Sequence, residues 1–271
     1  MPSRLSSKPI KYGTPPSRAS SKFVKYGSML SRLSSKPVKY GAMPSRPHNN
    51  QVTMKKIAIL AALAVLTALA AMAQANQDPY YARRATLFDE LPIGKKDIVM
   101  LGNSLTDGCE FNELLGNRHI KNRGIVGDIV QGLIDRIDPI IKGQPKKLFI
   151  MSGVNDISHG VTADSIARVT EKLIIMVKQG SPRTKIYLQS LLPFNNDVRE
   201  WKLLKGRDHI VVETNQLLEQ VARRQGVTWI NLYPLFADEQ GRLRADLTND
   251  GLHLMGPGYL IWRDAIRPYI K

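Results

Sequence analysis

A hydroxyl, an acid and a base stand in short polar stretches of this chain: Ser104 in "GNSLTDG", and Asp250 and His253 in "LTNDGLHLMGPG". A serine oxygen is a weak nucleophile until a base takes its proton, and that base needs an acid to fix its tautomer and orientation. The D-x-x-H spacing lets one turn of chain bring the Asp250 carboxylate to Nδ1 of His253, leaving Nε2 free to face a hydroxyl from elsewhere. Hydrolysis through an acyl-enzyme also needs donors aimed where the oxyanion forms. Two further stretches hold small and amide residues: "NRGIVGDI" with Gly124, Gly127 and Asp128, and "SGVNDISHG" with Asn155. Taken singly, each has an ordinary reading. Ser104 suits a turn, Asp250 caps one, Gly127–Asp128 starts a helix, and Asn155–Asp156 are common turn residues.

The surrounding elements decide between these readings. After "QDPYYARRATLFDELP", strand-like runs alternate with helical periodicity: "DIVMLG" (97–102), "HIKNRG" (119–124), "KKLFIMSG" (146–153), "KIYLQSLLP" (185–193) and "VTWINLYP" (227–234). The third and fourth are nearly continuous apolar runs, as strands buried on both faces of a parallel sheet require. Asp128 is placed to cap a helix whose Ile129, Val130, Leu133, Ile134, Ile137 and Ile141 form one stripe. Thr162 opens a second helix with Ile166, Val169, Leu173, Ile174 and Val177. Ile210, Thr214, Leu217, Leu218 and Val221 mark a third, and "GYLIWRDAIRPYI" a last one. The alternation predicts βαβ units in a three-layer α/β/α sandwich around a roughly five-stranded parallel sheet. In such sheets ligands bind past the carboxyl ends of the strands. Ser104, Gly127, Asn155 and the Asp250–His253 pair all fall there.

These four blocks, "GNSLTDG", "NRGIVGD", "GVND" and "DGLH", stand in the order found in the SGNH hydrolases, or GDSL-type esterases and lipases. The chain resembles that family, and its flavodoxin-like fold, from about Asp97 to Tyr269. The resemblance implies that Ser104 is the nucleophile, His253 the general base and acid, and Asp250 its orienting partner. It also implies an oxyanion hole of the Ser104 and Gly127 backbone N–H groups and the Asn155 side-chain amide. One departure is visible: Asn103 stands where the family name has Asp. No G-x-S-x-G surrounds Ser104, which argues against a nucleophile-elbow α/β-hydrolase.

Upstream, "MKKIAILAALAVLTALAAMAQANQD" (54–78) has a short basic start, an apolar run from Ile57 to Ala73 and A-x-A spacing. That is a secretory signal pattern with cleavage after Ala73 or Ala75, and the alternative is a retained anchor. Residues 1–53 repeat every 14 positions, from Ser3, Ser17, Ser31 and, truncated, Ser45. They carry ten Lys or Arg and no acid, too few apolar groups to offset their ordering entropy. The expected organisation is a disordered array (1–53) upstream of a physiological start at Met54, a signal peptide (54–75) and one domain (76–271). Removing the first 75 residues takes 12 of the 39 basic residues, leaving 27 against 23 acids, so the net charge falls from +16 to +4. The high overall charge is therefore no argument for a nucleic-acid partner.

Other candidates are weaker. Cys109 reads as a small buried residue rather than a thiol nucleophile. His159 lies close enough to the Asn155 block to reach a site mouth, or is a loop residue. His119 and His209 have no partners at metal-ligand spacing, so neither metal nor cofactor is expected. No phosphate loop is present. Residues 194–206, "FNNDVREWKLLKG", are the candidate substrate-lining loop, or a solvated connection. The expected protein is a periplasmic or secreted serine esterase removing short acyl groups, foremost acetyl, from a small-molecule or glycan ester, with no stable membrane association after signal removal. The rivals are a lysophospholipase or thioesterase of the same family, and a non-catalytic carbohydrate-binding protein on this scaffold.

Overall fold

The computed structural model describes residues 78–271. The repeat array and the signal-like segment lie outside the described residues. The described chain opens with helix α1 (Pro79–Glu90), capped by the Asp78 carboxylate accepting from the Tyr80 N–H. Strand β1 (Ile98–Gly102) leads into the short helices α2 (Ser104–Asp107) and α3 (Phe111–Leu114), then strand β2 (Ile120–Gly124). Helices α4 (Val130–Asp135) and α5 (Asp138–Gly143) precede β3 (Lys147–Met151), and α6 (Val154–Ser158) and α7 (Ala163–Gly180) precede β4 (Lys185–Gln189). Helix α8 (Asp208–Gln225), strand β5 (Thr228–Ile230), helix α9 (Tyr233–Phe236) and helix α10 (Gly256–Ile270) complete the order.

The strands form one parallel sheet in the order β2-β1-β3-β4-β5. Successive side chains of a strand point to opposite faces, and here both faces are apolar. Val99, Leu101, Leu148, Ile150, Ile186 and Leu188 pack with α4, α5, α7 and α8, whereas Ile98, Met100, Phe149, Met151 and Tyr187 pack with Phe111 and with Trp262 and Ile266 of α10. The expected three-layer sandwich is thus the observed one. Register matters most for the site: Gly102 pairs with both Gly124 and Met151, so the adjacent strands β2, β1 and β3 end level.

Three local expectations are corrected. The stripe from Ile129 to Ile141 is two helices. Arg136 leaves helical geometry (φ −120°, ψ 21°), and Pro139, which lacks an N–H, opens α5. Asp128 does not cap α4. Its carboxylate accepts the Ile129 N–H and pairs with Arg136, while the Val130 N–H goes to Asp156. The fourth strand stops at Gln189 although apolar residues run on, because the Asn215 amide takes both main-chain groups of Leu191 at 2.8 and 3.0 Å. Thr162 does cap α7, accepting from the Ser165 N–H.

Candidate active site

Ser104 is the first residue of α2, directly past β1. The bend that exposes it depends on its neighbours. A Cβ on Gly102 would lie 2.2 Å from Thr106 Oγ1 and 2.4 Å from the Met151 carbonyl, so only glycine fits the strand exit. Asn103 is 1% exposed and its Oδ1 accepts the Leu105 N–H at 3.1 Å, the N-cap role that Asn fills as well as Asp. That explains how the departure from the family pattern is accommodated. The far end of α2 is held by Asn122, whose amide donates to the carbonyls of Thr106 (2.7 Å) and Cys109 (2.9 Å) while its oxygen accepts the Gly124 N–H (2.7 Å). Sequence reasoning missed Asn122. An amide inside the run "IKNRG" is the signal that could have found it.

Asp250 and His253 arrive on one turn. Asp250 Oδ1 accepts the N–H groups of Leu252 (2.9 Å) and His253 (2.8 Å), and Oδ2 lies 2.7 Å from His253 Nδ1. His253 Nε2 is 2.9 Å from Ser104 Oγ. Burial raises the Asp250 pKa, but the hydrogen bonds from His253 and Leu252 outweigh it, and the carboxyl sits below the ordinary range. The carboxylate is therefore ionised when the neighbouring imidazole needs a counter-charge. Gly251 makes the turn possible. Its φ is +80°, and a Cβ there would stand 2.1 Å from the Asn195 carbonyl.

Residues 194–206, the candidate substrate wall, dock on this turn. Asn195 N–H donates to the Gly251 carbonyl at 2.6 Å, and Trp201 Nε1–H donates to the Asp250 carbonyl at 2.7 Å. The Trp201 ring meets His253 edge-on, centroids 5.7 Å apart, with the Arg199 guanidinium 5.7 Å from the indole. Their first structural task is to brace the Asp250–His253 turn. Arg199 stays exposed beside it.

The remaining donors sit on the next two strand exits. The Ser104 N–H is the first of α2, a group that helices leave without an internal partner. Gly127 adopts φ +80° with open space where a Cβ would be, and among the described residues its N–H donates to no other group. Asn155 Nδ2 donates one hydrogen to the Asp128 carbonyl at 2.9 Å and keeps a second. This bond ties the Asn155 helix to the residue after Gly127. Behind it are buried carboxylates: burial raises Asp128 against the lowering pull of Arg136, and pushes Asp156 up to about 7.

Cys109 is 3% exposed, and burial pushes its thiol up to about 12, the reverse of an activated nucleophile. His159 is largely exposed at the end of α6, and the partial loss of water around its ring lowers its pKa. His119 Nδ1 lies 3.2 Å from Asp97, at the opposite ends of the strands. Among the described residues no cluster of His, Cys, Asp and Glu suits a metal ion, and no helix is long and apolar enough to cross a membrane.

A parallel α/β/α sandwich with a hydrogen-bonded Ser–His–Asp line at its strand ends defines a class of serine-type hydrolase folds. The model of the GDSL-like lipase/acylhydrolase family matches residues 100–261, and the chain belongs to that family. It is a carboxylic ester hydrolase. Human platelet-activating factor acetylhydrolase IB subunit alpha1 is 27% identical over 173 residues, covering 60% of this chain and 70% of that protein. A GDSL-like lipase from Bacteroides thetaiotaomicron has the same fold at 23% identity, TM-score 0.62, covering 70% of this chain and 96% of that one. An acetylxylan esterase from Geobacillus stearothermophilus shares it at 19% identity, TM-score 0.54, covering 66% and 96%.

Proposed function

We propose that the protein cleaves short acyl esters, foremost acetyl esters of carbohydrates, through a Ser104 acyl-enzyme. The observation that carries this reading is the continuous line from Asp250 Oδ2 through His253 to Ser104 Oγ, at 2.7 and 2.9 Å. His253 Nε2 takes the Ser104 proton as Oγ attacks the ester carbonyl, and Asp250 stabilises the imidazolium that forms. The oxyanion is met by the N–H groups of Ser104 and Gly127 and by the free hydrogen of Asn155 Nδ2. The alkoxide leaves with the His253 proton. Water, activated by the same nitrogen, then releases the acid and restores Ser104.

Acetyl as the acyl group is supported by the likeness to human platelet-activating factor acetylhydrolase IB subunit alpha1. A sugar as the alcohol is supported by the half-exposed Trp201 and exposed Arg199 beside His253, an aromatic and polar wall. A second reading, a lysophospholipid or thioester, is favoured by Val198 and Leu203 on the same segment, 37% and 62% exposed. Export is supported by the signal pattern of residues 54–75. Turnover of nitrophenyl acetate tests the chemistry, and a panel of acetylated sugars against longer acyl esters tests the substrate. Wild-type-like turnover by Ser104→Ala would end the mechanism, and preference for long acyl chains would favour the second reading. N-terminal sequencing of exported protein tests the leader, with Gln74 or Asn76 the expected first residue.

A further inference from the structure

The three oxyanion donors of the proposed mechanism belong to three separate strand exits, and such donors must be held to within about half an ångström to act together. One guanidinium spans the exits from behind. Arg136 breaks out of α4, and its Nε and Nη2 both lie 2.8 Å from Asp128 Oδ2. Nη2 also donates to the Gly102 carbonyl at 3.1 Å. Gly102 ends β1, two residues before Ser104. Asp128 directly follows Gly127, and its own carbonyl accepts the Asn155 amide. The Arg136 and Asp128 side chains are 7% and 1% exposed. From the opposite side Asp156, adjacent to Asn155, receives the Val130 N–H at 3.2 and 3.3 Å and closes the frame.

A buried ion pair adds little net stability over an apolar pair of the same shape. What this pair adds is geometry, since a planar fork fixes direction as well as distance where a point charge does not. We propose that Arg136 is a positioning residue for the oxyanion site, setting the separation of the Ser104, Gly127 and Asn155 donors through Gly102 and Asp128 without touching substrate. The inference rests on the reading of Ser104 as nucleophile.

The test uses two variants of the full-length protein. Arg136→Lys keeps the charge but cannot form the fork. Arg136→Met with Asp128→Asn removes both charges, so no uncompensated carboxylate is left to unfold the protein, and Asn retains the oxygen that accepts the Ile129 N–H. In both, kcat for nitrophenyl acetate falls roughly tenfold to a hundredfold, the range set by losing part of one oxyanion donor's effect, while KM stays within about threefold. Affinity for a trifluoromethyl ketone, which forms a tetrahedral adduct, weakens in proportion to kcat/KM. The double variant shows this loss at a melting temperature close to the parent's. Parental kcat in either folded variant would overturn the proposal, as would a loss that tracks melting temperature and leaves inhibitor affinity unchanged. Arg168→Met, on an exposed α7 ion pair, serves as a control at parental activity. If Ser104→Ala retains activity, the underlying mechanism has failed, a result distinguishable from failure of the Arg136 proposal.

Discussion

Ser104, His253 and Asp250 share one line of hydrogen bonds, so removing any member should cost far more than the bond itself. Ser104→Ala is expected to lose nearly all kcat with an unchanged melting temperature, because among the described residues the half-buried hydroxyl bonds only to His253. Asn155→Ala should lower kcat roughly 10²–10³-fold with little change in KM, read by steady-state kinetics on a nitrophenyl ester. The buried carboxylates behind the site make a pH prediction. Burial pushes Asp156 up to about 7, above its unfolded value of 3.8. A group raised on folding favours the folded state at low pH and loses that contribution as pH rises through its folded value. Asp156→Asn, neutral throughout, should therefore melt a few degrees higher than the parent at pH 8 and show no such gain at pH 4. Asp250 has the opposite sign. Its depressed pKa adds stability above pH 3.8 that is lost as pH falls further.

Short elements place these groups, and they were unevenly legible in the sequence. Five strands and the long helices α7, α8 and α10 announce themselves through apolar runs and 3.6-residue stripes, which local burial dictates. The break between α4 and α5 did not, although Pro139 hinted at it. Its other cause is a long-range bond from Arg136 to Asp128 and Gly102, and periodicity carries no record of that. Residues 194–206 were legible as belonging to the site's edge, but not as the brace of the Asp250–His253 turn. That role can be tested at Trp201. Trp201→Phe keeps a ring against His253 yet loses the Nε1–H bond to the Asp250 carbonyl, and a roughly tenfold fall in kcat/KM at a nearly unchanged melting temperature is expected, about the worth of one hydrogen bond.

Helix α1 ties the fold together at its edge. Phe88 of α1 carries three guanidinium groups around its ring, Arg84 at 4.6 Å, Arg123 at 4.8 Å and Arg136 at 5.9 Å. Arg123 lies on the edge strand β2, is 5% exposed, and donates to the Leu91 carbonyl. Tyr80 OH reaches Asp107 at 2.6 Å, linking the helix to the end of α2. Deleting residues 78–91 should therefore expose β2, lower the melting temperature by more than 5 °C and promote aggregation, measured by calorimetry and light scattering.

Residue types, their order and their alternation came from the sequence alone, because burial on two faces and the needs of acyl transfer restrict which side chains serve. The spacing Asp250-x-x-His253 even carried its own geometry, since a single turn closes it. What only the tertiary structure decided is the distance between segments. The level register of β1, β2 and β3, and the buried fork of Arg136, bring Ser104, Gly127 and Asn155 to one edge. Those spacings depend on contacts between residues far apart in the chain, which no local pattern encodes.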